Sequence, residues 1–151
     1  MKQLKIEIPE GFKVDEFNPE SGIIKFKPIP QNIKDIIKTL DDVYNYHDID
    51  KDEFNRRFKS CTEDEIAYKH LKLITSALNE GWEPDWGNGQ WDKWFNWFNM
   101  PSKNGRFSFC DSFNRYSFSH CSARLCFKSK DLAQYAAKQF LEVYEKYMVI
   151  K

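Results

Sequence analysis

At 151 residues, with 23 basic and 23 acidic side chains and a net charge of zero, the chain is sized for one domain. It lacks the globally basic surface that duplex nucleic acid requires. Its apolar runs fall far below the ~18 residues of a membrane span. The opening MKQLKIEIPEGFK has no apolar core of a secretory leader, so four cysteines read as reduced thiols in a cytosol.

Residues 3–8, QLKIEI, alternate, with Leu4, Ile6 and Ile8 on one face. Pro9–Gly11 and Asn18–Gly22 are turn signals, and residues 23–27, IIKFK, read as a second strand. An N-terminal hairpin with a long loop is therefore expected. Pro28 and Pro30 stop it. Asn32 is placed to cap a helix over about 33–45, with Asp35 at its third position. Ile33, Ile36, Ile37, Leu40, Val43 and Tyr44 follow helical spacing. A short helix is expected at about 51–59, with Phe54 and Phe58 one turn apart. Thr62, with Glu65 three residues on, opens the next helix. Its apolar stripe is read as Ile66, His70, Leu73, Ile74, Ala77 and Leu78. Asn79, Gly81 and Pro84 end it.

The stretch WEPDWGNGQWDKWFNWF, from Trp82 to Phe98, holds all five tryptophans. After it, strands are expected near 91–99, 106–110, 113–118 and 123–128, with Asn104-Gly105 as a hairpin turn. In the last strand Ala123, Leu125 and Phe127 face one way, and Arg124, Cys126 and Lys128 the other. Ser129 caps a final helix whose positive end suits Asp131. Its stripe is Leu132, Tyr135, Ala136, Phe140, Val143 and Tyr147. The expectation is one α+β domain over 1–151. Its antiparallel sheet, made of the N-terminal hairpin plus the C-terminal strands, is packed by three to four helices.

Motifs that carry chemistry are scarce. Asp48, Asp50 and Asp52 imitate the start of a calcium loop, but Glu53 stands where the loop needs Gly and Lys59 where it needs Glu. Asp50 is read instead as the cap of the 51–59 helix. Cys110, His120, Cys121 and Cys126 are four soft ligands at spacings that no zinc motif uses. They are read as free thiols and a polar histidine. His70, on an apolar helix face, is read as a hydrogen-bonded boundary residue. No phosphate loop and no nucleophile–base motif is present, so no catalytic residue, metal or cofactor is expected.

Three stretches carry a resemblance: IEIPEGFKVDE with GIIKFK, LNEGWEPDW, and RLCFKSKDLAQYAAKQFLEVYEKY. In this order they resemble a set of small proteins encoded by phages and prophages of gut bacteria. The resemblance covers most of the chain and is patchy through 31–61. That set has no settled activity and no defined catalytic residues. Its GW-x-PDW stretch leads into a strand rich in Lys and Tyr, where this chain has Trp and Phe. The resemblance implies a phage context and a place in the cytoplasm of the bacterial host. It transfers no site.

The tryptophan stretch supplies the functional expectation. A plain core reading has Trp82 and Trp86 plugging the end of the core and the others covering a sheet, and it is expected for two or three of the five. On a strand at 91–98, Trp91, Lys93, Phe95 and Trp97 share one face, and Asp92, Trp94, Asn96 and Phe98 the other. A half-buried strand is apolar on one side only, so this one is either covered twice or meets a partner. Flat rings beside guanidinium groups suit a nucleobase and a phosphate. The candidate ligand-binding residues are Trp86, Trp91, Trp94, Trp97, Arg106, Arg115, Tyr116, Arg124 and Lys128. The function expected is non-enzymatic binding of a nucleotide-like small molecule, which in a phage would sequester a host defence signal. The alternative is a protein-interaction module, self-associating into a homo-oligomer or acting on a host protein or virion component. No membrane partner is expected.

Overall fold

Two antiparallel hairpins and six α-helices make an α+β architecture in the computed structural model, which describes residues 5–28, 32–101, 105–119 and 121–150. The chain divides into two units, 1–32 and 33–151.

The first unit holds β1 (Phe12–Asn18) and β2 (Ile23–Pro28). Phe12 lies opposite Pro28, Val14 opposite Phe26 and Phe17 opposite Ile24. A bulge between Val14 and Glu16 adds one residue to β1, which returns Phe17 to the face of Phe12 and Val14. Ion pairs Glu16–Lys25 and Asp15–Lys27 form on the other side. The first strand is therefore not at 3–8. Residues 5–9 form no strand, and Gln3 and Leu4 lie outside the described residues. The reason is local. Gly11 takes φ +79°, and the Phe12 N–H closes a turn on the Pro9 carbonyl at 3.1 Å, so this turn leads into β1 instead of out of it. The hairpin loop is short. The Asn18 side chain folds it by accepting from the Glu20 and Ser21 N–H groups at 2.9 and 3.2 Å.

In the second unit the helix expected at 33–45 is broken into α1 (Ile33–Ile36) and α2 (Leu40–Tyr46). Thr39 and Asp42 form a capping box that restarts the chain, and Tyr135 Oη takes up the carbonyls of Lys34 and Ile37 at 2.9 and 2.7 Å. α3 (Lys51–Arg57) is capped by Asp50, whose side chain accepts from the Glu53 N–H. α4 (Glu63–Asn79) opens on the expected box, the Glu65 carboxylate accepting from the Thr62 N–H at 2.8 Å. It buries Ala67, Leu71, Ile74, Thr75, Ala77 and Leu78; Ile74, Ala77 and Leu78 of the stripe read in the sequence are among them, whereas Ile66, His70 and Leu73 are only half-buried.

β3 (Lys93–Asn99) pairs with a single β4 (Ser108–Arg115), where two strands were expected at 106–110 and 113–118. Asn104 of the expected turn lies outside the described residues. Residues 123–128 are not a strand. Ala123–Leu125 is one 3-10 turn, closed by Leu125 N–H on Ser122 O at 2.7 Å, and Phe127 alone pairs with Trp94. The Asn79 amide explains why. Its Nδ2 donates to Cys126 O at 2.9 Å and its Oδ1 accepts from Lys128 N at 3.0 Å, so a helix side chain satisfies the groups a further strand would have used. The expected single sheet is thus two separate two-stranded sheets. The last helix is divided at Phe140 into α5 (Lys130–Gln139), capped by Ser129, and α6 (Leu141–Met148). Ile37, Leu71, Ile74, Leu78, Leu125, Phe127, Ala136, Phe140 and Val143 join in one core, with Tyr135 and Tyr147 packed at its edge. Among the described residues, no helix is long and apolar enough to cross a membrane.

Candidate ligand pocket

The tryptophan stretch begins where α4 stops. Glu80 takes a left-handed conformation at φ +51°, Gly81 follows at φ +79°, and the Trp82 N–H donates to Asn79 O at 3.0 Å. Residues 82–92 then run as turns pinned by their own side chains. Asp85 Oδ1 accepts from the Gly87 N–H at 2.8 Å, and Asn88 Oδ1 from the Gln90 N–H at 2.9 Å. Lys93 fastens this loop to the sheet. It is fully buried. Its Nζ donates to the carbonyls of Asn88 at 3.2 Å and Trp91 at 3.0 Å, and stands 5.4 Å from the centre of the Trp86 ring. A buried ammonium needs such partners, and an aromatic face adds an attraction of its own. The lysine is thus a staple holding Trp86 in place.

Between this loop, α4 and the 3-10 turn lies a pocket of about 530 Å³. That is within the range of small-molecule sites. Trp82 and Trp86, both half-buried, form its walls with Ala123. Buried Thr75, Asn79 and Cys126 make its floor, and exposed Lys72, Arg124 and Glu83 its rim. Burial pushes the Cys126 thiol up to about 11, and its Sγ donates to Ala123 O at 3.3 Å. It is therefore a neutral group of the floor and a poor nucleophile. The Asn79 amide bonds the Cys126 carbonyl and the Lys128 N–H. The Thr75 hydroxyl is different: it is buried and finds no hydrogen-bond partner among the described residues.

A second cleft of about 400 Å³ opens where β3 meets α6, lined by Trp97, Phe98, Met100, Leu125, Tyr147 and Met148. Its polar groups satisfy one another. Asn96 Nδ2 donates to Ala133 O at 2.9 Å and reaches Tyr144 Oη at 3.4 Å, while Ser112 Oγ donates to Asn96 Oδ1 at 2.6 Å. Burial drives the Tyr144 phenol strongly upward, so it stays protonated. This cleft offers apolar surface and few polar groups to orient a ligand. The larger pocket offers rings and cations.

The predicted residues divide between these places. Trp86 and Arg124 meet at the larger pocket, joined by Trp82, which the sequence reading had assigned to the core. Trp97 lies in the apolar cleft, half-exposed and edge-on to Phe113 at 6.3 Å between ring centres. Trp94 packs on the core, with Lys130 5.7 Å from its ring centre. Trp91, Arg106 and Tyr116 are exposed, away from the lining of either cavity. Arg115 is exposed and donates to the neighbouring Asn114 carbonyl. Lys128 pairs with Glu80 at 2.7 Å. Thr75 and Lys72 were missed. The four cysteines are free, His120 lies outside the described residues, and no group of three His, Cys, Asp or Glu gathers among the described residues. Comparison with protein-family models, with curated proteins and with solved structures found no match to this chain.

Proposed function

We propose that this protein is a non-enzymatic binder of a nucleotide-like small molecule, held in the pocket between the Trp82–Trp86 loop, α4 and the 3-10 turn. One observation carries the reading: two half-buried tryptophans and two cationic side chains, Arg124 and Lys72, line the same pocket. A heterocycle stacked on an indole gains about 1–3 kcal/mol. A guanidinium at the rim takes phosphate through its planar fork. With the phage resemblance, the role that fits is withholding of a nucleotide signal from a host defence in the bacterial cytoplasm. Calorimetry against a nucleotide panel tests it. Trp86→Ala is expected to weaken binding by about 1–3 kcal/mol. Arg124→Lys is expected to weaken it too, because lysine lacks the fork. No binding of any nucleotide, and no nucleotide released from the heat-denatured purified protein, overturns the reading.

The alternative reading, a protein-interaction module or homo-oligomer, has an observation of its own. Trp97, Phe113, Tyr116 and Phe118 are 50, 47, 51 and 75% exposed on or just beyond the β3–β4 hairpin. Exposed aromatic groups of this kind anchor interfaces. Size-exclusion chromatography of the wild type and Trp97→Ala distinguishes it: an oligomer that dissociates on that change favours this reading.

A further inference from the structure

We infer that the outer edge of β4 pairs with the same edge of a second copy of this chain, antiparallel about a two-fold axis at Phe113, so that the two β3–β4 hairpins join into one four-stranded sheet. The inference rests on the interaction reading above and is independent of the nucleotide pocket. Among the described residues β4 has a strand on one side only. The backbone bonds of β3 fix which groups of β4 face outward. Trp94 exchanges both of its backbone bonds with Phe127, on the side of β3 away from β4. Alternation then makes Lys93–Arg115 and Phe95–Phe113 the hydrogen-bonded pairs of the hairpin. It leaves the backbone groups of Ser112 and Asn114 pointing to the outer edge.

Two charged neighbours hold these outward groups in the single copy. Asp111 Oδ1 accepts from the Ser112 N–H at 2.7 Å, and Arg115 Nη1 donates to Asn114 O at 2.7 Å. The Asp111 carboxylate also lies 3.6 Å from Lys130 Nζ at the start of α5. Charges on an edge ordinarily discourage pairing. Their placement here leaves one register open. Asp111 and Arg115 stand two residues to either side of Phe113, with opposite signs. An antiparallel copy centred on Phe113 sets each Asp111 opposite the other copy's Arg115. The Ser112 N–H then meets the other copy's Asn114 carbonyl, so each outward group exchanges a side-chain partner for a backbone one. Phe113 meets its own counterpart at the axis, where side chains of facing strands come closest. It is 47% exposed, with Trp97, 50% exposed, edge-on beside it. An axis at Asp111 or at Arg115 sets like charges opposite each other, and one at Ser112 or Asn114 keeps the two opposite charges apart. Charge therefore selects both the partner and the register.

Sedimentation velocity of the full chain over a concentration series tests this. The wild type is expected to form a dimer. Asp111→Arg and Arg115→Asp each set like charges opposite each other, and each is expected to raise the dimer Kd by about tenfold or more. The double variant exchanges the two signs, and is expected to dimerise as the wild type does. A wild-type oligomer that Trp97→Ala dissociates and both single charge reversals leave intact overturns this inference and leaves the interaction reading standing. A double variant that keeps the wild-type Tm yet fails to dimerise overturns it as well. A wild type that stays monomeric at every concentration overturns both.

Discussion

The two hairpins of this protein use the same devices and meet opposite fates. Each pairs two antiparallel strands, and each carries a bulge that shifts its register. Among the described residues of its own unit, β1–β2 has no helix to cover the apolar face built by that bulge, with Phe12, Val14 and Phe17 at 42, 39 and 57% exposure. In β3–β4, Lys93, Phe95 and Ser112 fall to 0, 3 and 1%. Two strands alone are marginal in water. What differs is the covering, since α5 contacts both β3 and β4 and the tryptophan loop is fastened at Lys93. Alternation decides which side chains can be buried together; it does not decide whether anything buries them.

Four measurements sharpen or break this contrast. The largest effect is expected at Phe127, fully buried and hydrogen-bonded through its backbone to Trp94. Phe127→Ala should cost about 3–5 kcal/mol in denaturant unfolding. A loss below about 1 kcal/mol would show that the second hairpin is not held by this core. Asn79→Ala comes next. It removes both bonds to the 126–128 backbone and leaves buried groups unpaired, for an expected loss of about 2–3 kcal/mol. The third effect depends on pH. His70, bonded to Tyr44 Oη at 2.7 Å, has its pKa lowered from 6.5 by burial and then by the charge of Lys146. The unfolded chain therefore takes up this proton first. Its share of stability is complete above about pH 6.5 and is lost as pH falls from there through the folded value. His70→Gln should flatten the pH dependence of stability in that window, and an unchanged slope would remove His70 from the account. The smallest effect belongs to the first hairpin. Phe17→Ala and Glu16→Ala should each change stability by no more than about 0.5 kcal/mol. A loss near that of Phe127→Ala would mean that the open face of β1–β2 is covered in solution.

Much of this was legible in the residues. Capping residues Asp50, Thr62 and Ser129 marked three helix starts, because a cap needs only its own few neighbours. The aromatics on both faces of β3 left two readings open, double covering or a partner; along its first half both faces pack inward, Lys93 and Phe95 buried and Trp94 against the core. What the sequence hid was long-range. The alternation at 123–128 reads as a strand, and only Asn79, 47 residues before Cys126, takes its hydrogen bonds away. Lys93 shares a strand face with aromatics, and nothing near it in sequence shows that the loop before it supplies two carbonyls to its ammonium. Thr75 was the subtler miss. It sits four residues after Leu71 and eight after Ala67, on the buried meridian of α4. The stripe read through Ile66, His70, Leu73, Ile74, Ala77 and Leu78 meets that meridian at its last three residues and runs one position early at Ile66, His70 and Leu73, which leaves Thr75 out.

The cysteines give the molecule a clock. Cys110 and Cys121 are exposed and Cys61 is half-buried, whereas Cys126 is 2% exposed on the pocket floor, with its thiol pushed up to about 11. Alkylating reagents attack the thiolate. They will mark Cys110 and Cys121 promptly and Cys61 more slowly, and reach Cys126 last, when the wall between the tryptophan loop and the 3-10 turn parts and lets water in. The lag before the last mark appears, followed by mass, counts those partings. A molecule seated between the indoles would lengthen it, so occupancy can be timed without a chromophore or a label on the ligand.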